Sequence, residues 1–533
     1  SGTAINALNV GAGDATTTFN GLIADNTGAG GRIALNKTGA GTFTLGGTNS
    51  YTGGTVISNG VLALGSNQAN TSGLGSSNVT FRGGTLQLFG YTGSNGNHYN
   101  ALTNGLFVAT GQTGTLELFQ RGPTDNTGIT APLTGSGTLN LVVSYVRASI
   151  DGDWSAFTGL INVTSSAGTE HFRTKDTYGY ANAAILLNDG VIMYCNGNAN
   201  ATIDIGELGG TSGAFLGYGT VSQNNAVANP TWRVGAKNTS STFAGVIRDD
   251  TSTSIIKVGT GTWTLTGANT YSGSTTISNG VLALGDGVTD GSIGSSANID
   301  IVSGAVLDVS GRVDKTLGLN GGQTLRGNGR VAGSVTAGSG STVSPADATG
   351  VIGLLTITNL LSLQSGSAVN VDLDATALTN DVVVAGTGVT YGGTLNINFV
   401  NGTPTLGQTF KLFSAPPGQY GGSFDGGVSP ATFNGLTWNT SNLAVNGTIS
   451  VVIATPPSFS SIVISGSDIV LNAINGTPGG PVTVLTSTNI ALPLAQWTTV
   501  TTGNFDGSGN FTYPVSGALS FGQPQQFYIL QTQ

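Results

Sequence analysis

The residues best equipped for chemistry sit together in Glu170-His171-Phe172-Arg173-Thr174-Lys175-Asp176. Five of these seven are ionisable, in a chain of 533 residues of which 8% are charged. An acid, an imidazole and two cations in one stretch suit acid–base work on a polysaccharide, with Glu170, His171 and Arg173 as the catalytic set. The alternative is a solvated, protruding loop. A second candidate is YTGSNGNHYNALTNG, where Tyr91 and Tyr99 flank His98. Exposed aromatic rings stack on sugars, so these three are glycan contacts or, alternatively, a loop packed on its own rings. The chain has two histidines, far apart in sequence, which gives no support to a histidine-rich metal site or a nucleophile–histidine–acid triad.

Asp506-Gly507-Ser508-Gly509-Asn510 places oxygen ligands at alternate positions, as calcium loops do, with Asp506, Ser508 and Asn510 as candidate ligands. It lacks the downstream bidentate glutamate, and a hairpin turn between Phe505 and Phe511 explains it equally. No cofactor is expected: the many Gly-x-Gly matches precede no helix, so they offer no phosphate cradle. Cys195, inside VIMYCNG, reads as a buried small hydrophobe.

Composition narrows the classes further. Six lysines and ten arginines face three glutamates and 22 aspartates, a net charge of −9 spread thinly. No cationic stripe exists to displace counterions, so nucleic acid is not a partner. No run of about 18 apolar residues occurs, so no helical membrane span is expected. A lone cysteine excludes a disulfide scaffold. Glycine supplies 87 residues but with no period of three, and prolines number 15, which excludes collagen. The small-residue start Ser1-Gly2-Thr3-Ala4 fits a mature end left by signal-peptide removal, as it would a chain trimmed there; the first reading gives the expectation of an exported, extracellular or cell-surface protein.

The elements that would hold these residues are short strands. Phe43 and Leu45, Trp263 and Leu265, Val369, Val371 and Leu373, and Leu395, Ile397 and Phe399 each sit two apart, the period of a strand with one inward face. The runs last four to six residues and end at Gly or Asn-Gly, and no convincing helix of ten residues occurs. The strongest signal is a repeat. KTGAGTFTLGGTNSYTGGTVISNGVLALG from Lys37 aligns without a gap to KVGTGTWTLTGANTYSGSTTISNGVLALG from Lys257, with 20 of 29 positions identical. Short strands with sharp corners permit either a sandwich of hairpins or a parallel solenoid. One coil of about 20 residues costs roughly 20–40 kcal/mol in backbone ordering. Its inward side chains return about 10 kcal/mol. Only a stacked array, sharing ladders and a continuous core, is then stable, and scarce charge favours like-on-like stacking.

The motif G-x-G-T-x-T-L-x-G-x-N-x-Y-x-G-x-T-x-I-S-N-G-V-L-A-L-G resembles the passenger-associated transport repeat, also called the autotransporter-associated β-helix repeat, over 37–65 and 257–285. The stretch from about 315 to 452 is similar to the segment that often follows such repeats. The resemblance implies an all-β, right-handed parallel β-helix on or outside a bacterial cell, here without the C-terminal translocator barrel of an autotransporter. The expected organisation is β-helix over 1–311, its continuation over 312–454, a Pro linker at 455–457 (Thr455-Pro456-Pro457) and a small antiparallel β-sandwich over 458–533. Three functions fit: a non-catalytic structural or adhesive subunit that assembles head-to-tail with itself, a monomeric adhesin for surface polysaccharide, or a β-helix lyase or hydrolase. For the first, TAINALNV places Ala4, Ile5, Leu8 and Val10 on a short apolar strand that caps its own chain or adds to a neighbour.

Overall fold

Alternating apolar residues generate strands whose buried side repeats every second position, as in Ser254–Lys257, Thr262–Leu265 and Val281–Leu284. The computed structural model describes residues 4–26, 30–65, 72–88, 102–119, 129–144, 150–175, 178–219, 229–346, 350–476, 479–519 and 525–532. The chain forms two compact units. The first comprises 1–402, 411–427 and 442–448; the second comprises 403–410, 428–441 and 449–533.

The first unit is a parallel β-solenoid. One ladder starts at Thr17–Phe19, passes through Thr42–Leu45 and Val61–Leu64, and ends at Phe413–Ser414. Every step is parallel and onto a later strand, so consecutive turns stack. A second ladder joins Ile5–Val10, Arg32–Lys37, Thr55–Ile57, Val79–Phe81, Leu106–Val108 and Leu133–Gly135. Stacked residues are 19 positions apart at Thr42–Val61 and Thr262–Val281, and 33 apart at Gly210–Phe243. Most stacked residues are thus farther apart than the 20-residue coil expected.

Inward residues form a continuous column. Leu62, Leu86 and Leu116, then Trp263, Leu282 and Leu307, lie one above another and are buried. Each large buried side chain contributes about 1.5–3 kcal/mol, which a single turn cannot accumulate but an array can. Outside, neutral polar residues stack on their own kind. The Asn162 amide donates to Asn140 Oδ1 at 3.0 Å and the Asn188 amide to Asn162 Oδ1 at 2.8 Å. Asn36 and Asn396 repeat the contact onto Asn9 and Asn370. The few charges that share a ladder position are opposite in sign: Arg233 pairs with Asp204, and Arg326 with Asp300.

Asn59-Gly60 and Asn279-Gly280 make equivalent corners. Gly280 has φ +65°, and a Cβ there would lie 2.4 Å from Gly259 O of the turn before. Both left-handed backbone and close stacking therefore require glycine.

The second unit is antiparallel. Ser458–Ser465, Asp468–Ile474 and Phe511–Val515 form one three-stranded sheet; Thr498–Asn504, Pro481–Ser487 and Phe527–Thr532 form another. Ala473, Val482 and Phe505 make a core joined by Phe459, Phe511 and Leu530, so the sheets are held by few apolar contacts. Leu436–Asn439 pairs antiparallel with residues 450–453, and Trp438 packs on Phe433 at 4.8 Å. Thr455-Pro456-Pro457 lies between strands, and residues on both sides of it belong to this unit.

Candidate functional site

The charge-dense stretch is a strand, not a protruding loop. Glu170–Thr174 stacks in parallel on Val191–Cys195, which stacks on Phe215–Leu216. Phe172 and Thr174 explain why: Phe172 meets the Tyr180 ring at 5.9 Å, and the Thr174 hydroxyl bonds the Tyr180 hydroxyl at 2.7 Å in the interior. Strand alternation then puts His171 and Arg173 on the opposite face from Glu170. The acid is thereby separated from the imidazole and the guanidinium that would have to act with it. Arg173 is buried, 1% exposed.

On the His171 face the sequence assembles rings and cations. His171 meets Tyr194 at 5.6 Å and Tyr218 at 5.2 Å, both edge-on, and the two tyrosines are 5.1 Å apart. One turn on, the Arg248 guanidinium lies 3.9 Å over the Phe215 ring, a cation–π contact, and donates to Gly217 O at 3.1 Å. Asp250 is buried beside it and accepts the Tyr218 and Gly219 amide hydrogens; burial pushes its carboxyl up to about 6. Lys175 is paired to Asp151 at 3.0 Å. The rings on this face pack on one another, with Tyr194 and Arg173 buried among them.

The other singled-out residues fall as follows. Tyr91, His98 and Tyr99 lie outside the described residues. Ile5, Leu8 and Val10 stand on the first strand of their ladder, opposite Arg32, Leu35 and Lys37, and Ala4 O accepts the Arg32 amide hydrogen at 3.0 Å. Ile5 and Leu8 are 55% and 39% exposed. The Asp506 carboxylate is occupied by its own loop, accepting the Asn510 and Ser508 amide hydrogens at 2.8 and 2.9 Å, which hold its pKa below the usual range. Among the described residues no three His, Cys, Asp or Glu side chains cluster as a metal site. Cys195 is buried.

The repeats carry a polar framework that composition hid. Lys37 and Lys257, 0% and 1% exposed, thread the interior. The Lys257 amine donates to the carbonyls of Val258, Gly259 and Asn279 at 2.6, 2.9 and 3.3 Å; Lys37 does the same to Thr38, Gly39 and Asn59 at 2.5, 2.7 and 3.2 Å. Each lysine thus tethers a corner of its own turn to that of the next. Burial lowers both amines, Lys257 to about 8. Asn49 and Asn269 each accept an amide hydrogen from the turn before, from Ile23 at 2.7 Å and Ile247 at 2.8 Å. Tyr51 and Tyr271 bond the hydroxyls of Thr55 and Thr275 at 2.7 and 2.6 Å.

This framework coincides with a known module. A family model described as the passenger-associated transport repeat matches residues 35–64 and 255–284. The chain carries two passenger-associated transport repeats. A curated relative, the adhesin BmaC autotransporter of Brucella suis biovar 1 (strain 1330), is 30% identical over 308 residues, which cover 54% of this chain and 8% of that protein. The chain therefore spans a small fraction of that relative's length. Within the repeat, the invariant spacing from lysine to Asn-Gly follows from the tether: the amine of one turn must reach the corner carbonyl of the next. The signal that would have revealed it is a lysine at the same place in both copies of a lysine-poor chain.

Proposed function

We propose that this chain is a non-catalytic, extracellular adhesive β-solenoid. The observation that carries the reading is the coincidence of two passenger-associated transport repeats with one continuous parallel ladder, in a chain 54% of which aligns at 30% identity to an adhesin autotransporter. Stacked neutral side chains on the outside give a stiff, weakly charged surface suited to many shallow contacts rather than one deep pocket. The opposite facing of Glu170 to His171 and Arg173, with Arg173 buried, argues against the lyase or hydrolase reading. Surface polysaccharide is the proposed ligand class, met by exposed polar ladders and aromatic faces.

Beads coated with residues 1–533 should adhere to cells or polysaccharide films well above albumin-coated beads, and the protein should release no reducing or unsaturated ends from acidic polysaccharides. Adhesion equal to albumin overturns the reading. Release of sugar ends that Glu170→Ala abolishes restores the enzyme.

A second reading, head-to-tail self-assembly into a filament, is favoured by one feature. Ile5–Val10 has a partner strand on one side only among the described residues, and Ile5 and Leu8, on its two opposite faces, are both exposed. Such an edge accepts a strand from another copy. Electron microscopy of the purified chain should show fibres that Leu8→Lys disperses. Particles that stay single at every concentration dispose of the filament and leave adhesion standing.

A further inference from the structure

The second unit holds a different surface. Ser458–Ser465 is the outer strand of its sheet, bonded to Asp468–Ile474 on one side and to no strand on the other among the described residues. Natural edge strands are protected by charge, proline or a bulge. Here Pro456-Pro457 precedes the strand and a bulge at Ser460 interrupts it, so its first half is protected. The second half, Ser461-Ile462-Val463-Ile464-Ser465, is regular and uncharged.

Its side chains are also uncovered. Ile462 and Ile464 stand opposite Leu471 and Ile469, and directly opposed residues share a face. Leu471 and Ile469 are buried core residues, whereas Ile462 and Ile464 are 53% and 67% exposed. The core-facing row is therefore covered at Leu471 and Ile469 and left open at the edge strand, at Ile462 and Ile464. Val463, on the other face, is 49% exposed.

The sequence of the bare edge says what fits it. Ser-Ile-Val-Ile-Ser reads the same in both directions about Val463. An antiparallel two-fold pairing centred there sets Val463 against Val463, Ile462 against Ile464, and Ser461 against Ser465 of a second copy. The uncovered isoleucines then continue one apolar row across the junction, and the unpaired backbone groups on both edges are satisfied. No charge opposes a like charge. We infer that Ser461–Ser465 is a self-complementary docking edge for a second copy of this chain, joining two three-stranded sheets into one of six. The contact is isologous and closed, so it makes pairs, and it stands independently of the strand at Ile5–Val10.

The test is register-specific cross-linking of the full chain. Val463→Cys should give a covalent homodimer under mild oxidation, about tenfold faster than Leu378→Cys, an exposed position outside this edge, because docking raises the local concentration of like positions. Ile462→Cys and Ile464→Cys should each cross-link poorly alone and well when mixed. Ile464→Lys should abolish the dimer boundary in sedimentation velocity while leaving the circular dichroism spectrum unchanged. Equal rates at 463 and 378, or a Val463→Cys chain that stays monomeric at every concentration, overturn the proposal. So does cross-linking of Ile462→Cys alone as fast as the mixture.

Discussion

Replacing Lys257 by methionine isolates the interior tether. Methionine keeps the length and the apolar stem but donates nothing. The carbonyls of Val258, Gly259 and Asn279 lose a charged donor, each such bond being worth about 1.5–3 kcal/mol. The corner is partly open, so water recovers some of this, and the cost of stripping water from an ammonium is also removed. The expected balance at neutral pH is a loss of about 1–2 kcal/mol. The pH dependence is more telling. Burial pushes the Lys257 amine down to about 8 from 10.5. Between those values the unfolded chain holds a proton that the folded chain has released, so stability rises with pH, by up to about 3 kcal/mol over the window. Lys257→Met lacks that rise. Guanidinium midpoints followed by far-ultraviolet circular dichroism should therefore show the gap between wild type and variant widening from neutral pH to pH about 10. Lys411→Met, at an exposed lysine, should show no such widening. A Lys257→Met gap that stays constant or narrows refutes the buried-amine argument.

Gly259→Ala should be far more damaging than an exposed glycine change, because its Cβ would meet Gly235 O at 2.0 Å with φ at +68°; a loss above about 2 kcal/mol is expected by denaturation. Tyr271→Phe should cost about 1 kcal/mol, since Thr275 retains the Ser296 hydroxyl at 2.9 Å. Asp381 is buried, accepts the Gly353 and Asp372 amide hydrogens, and is raised to about 7 by burial, with the Asp372 carboxylate adding to the effect. Between its ordinary 3.8 and about 7 the folded chain holds a proton the unfolded chain lacks, so this contribution is present at acid pH and lost as pH rises through 7. Hydrogen exchange at Gly353, corrected for intrinsic rate, should be slower at mildly acid pH than at mildly alkaline pH, and flat behaviour contradicts the assignment.

Much of the fold was legible because the solenoid repeats itself in the chain. Period two at Trp263 and Leu265 marks inward faces, and Asn59-Gly60 marks a corner because few other pairs tolerate it. Turn length was less legible: Thr262 stacks on Val281 after 19 residues but Gly210 on Phe243 after 33, and nothing in the composition of the stretch between says how far apart two strands will stack. Glu170–Thr174 misled because charge density ordinarily signals exposure; Phe172 and Thr174 outweighed it once stacked neighbours supplied hydrogen bonds. Lys37 and Lys257 were invisible for the same reason, since a lysine is expected at the surface unless its amine finds several acceptors at once. The palindrome around Val463 was present in the letters but had no meaning until the strand proved to be an edge.

The two repeats place their strands at the same offsets, 20 residues between Leu35 and Thr55 and between Ile255 and Thr275, then 19 in the companion ladder. A splice made at any matching position of the two copies would delete 220 residues, the interval from Lys37 to Lys257, and every strand at the junction would still find a neighbour in register. Recombination within the gene can therefore shorten or lengthen the solenoid by whole blocks without refitting its interior. Solenoid length becomes a property selection can adjust without redesigning the turns.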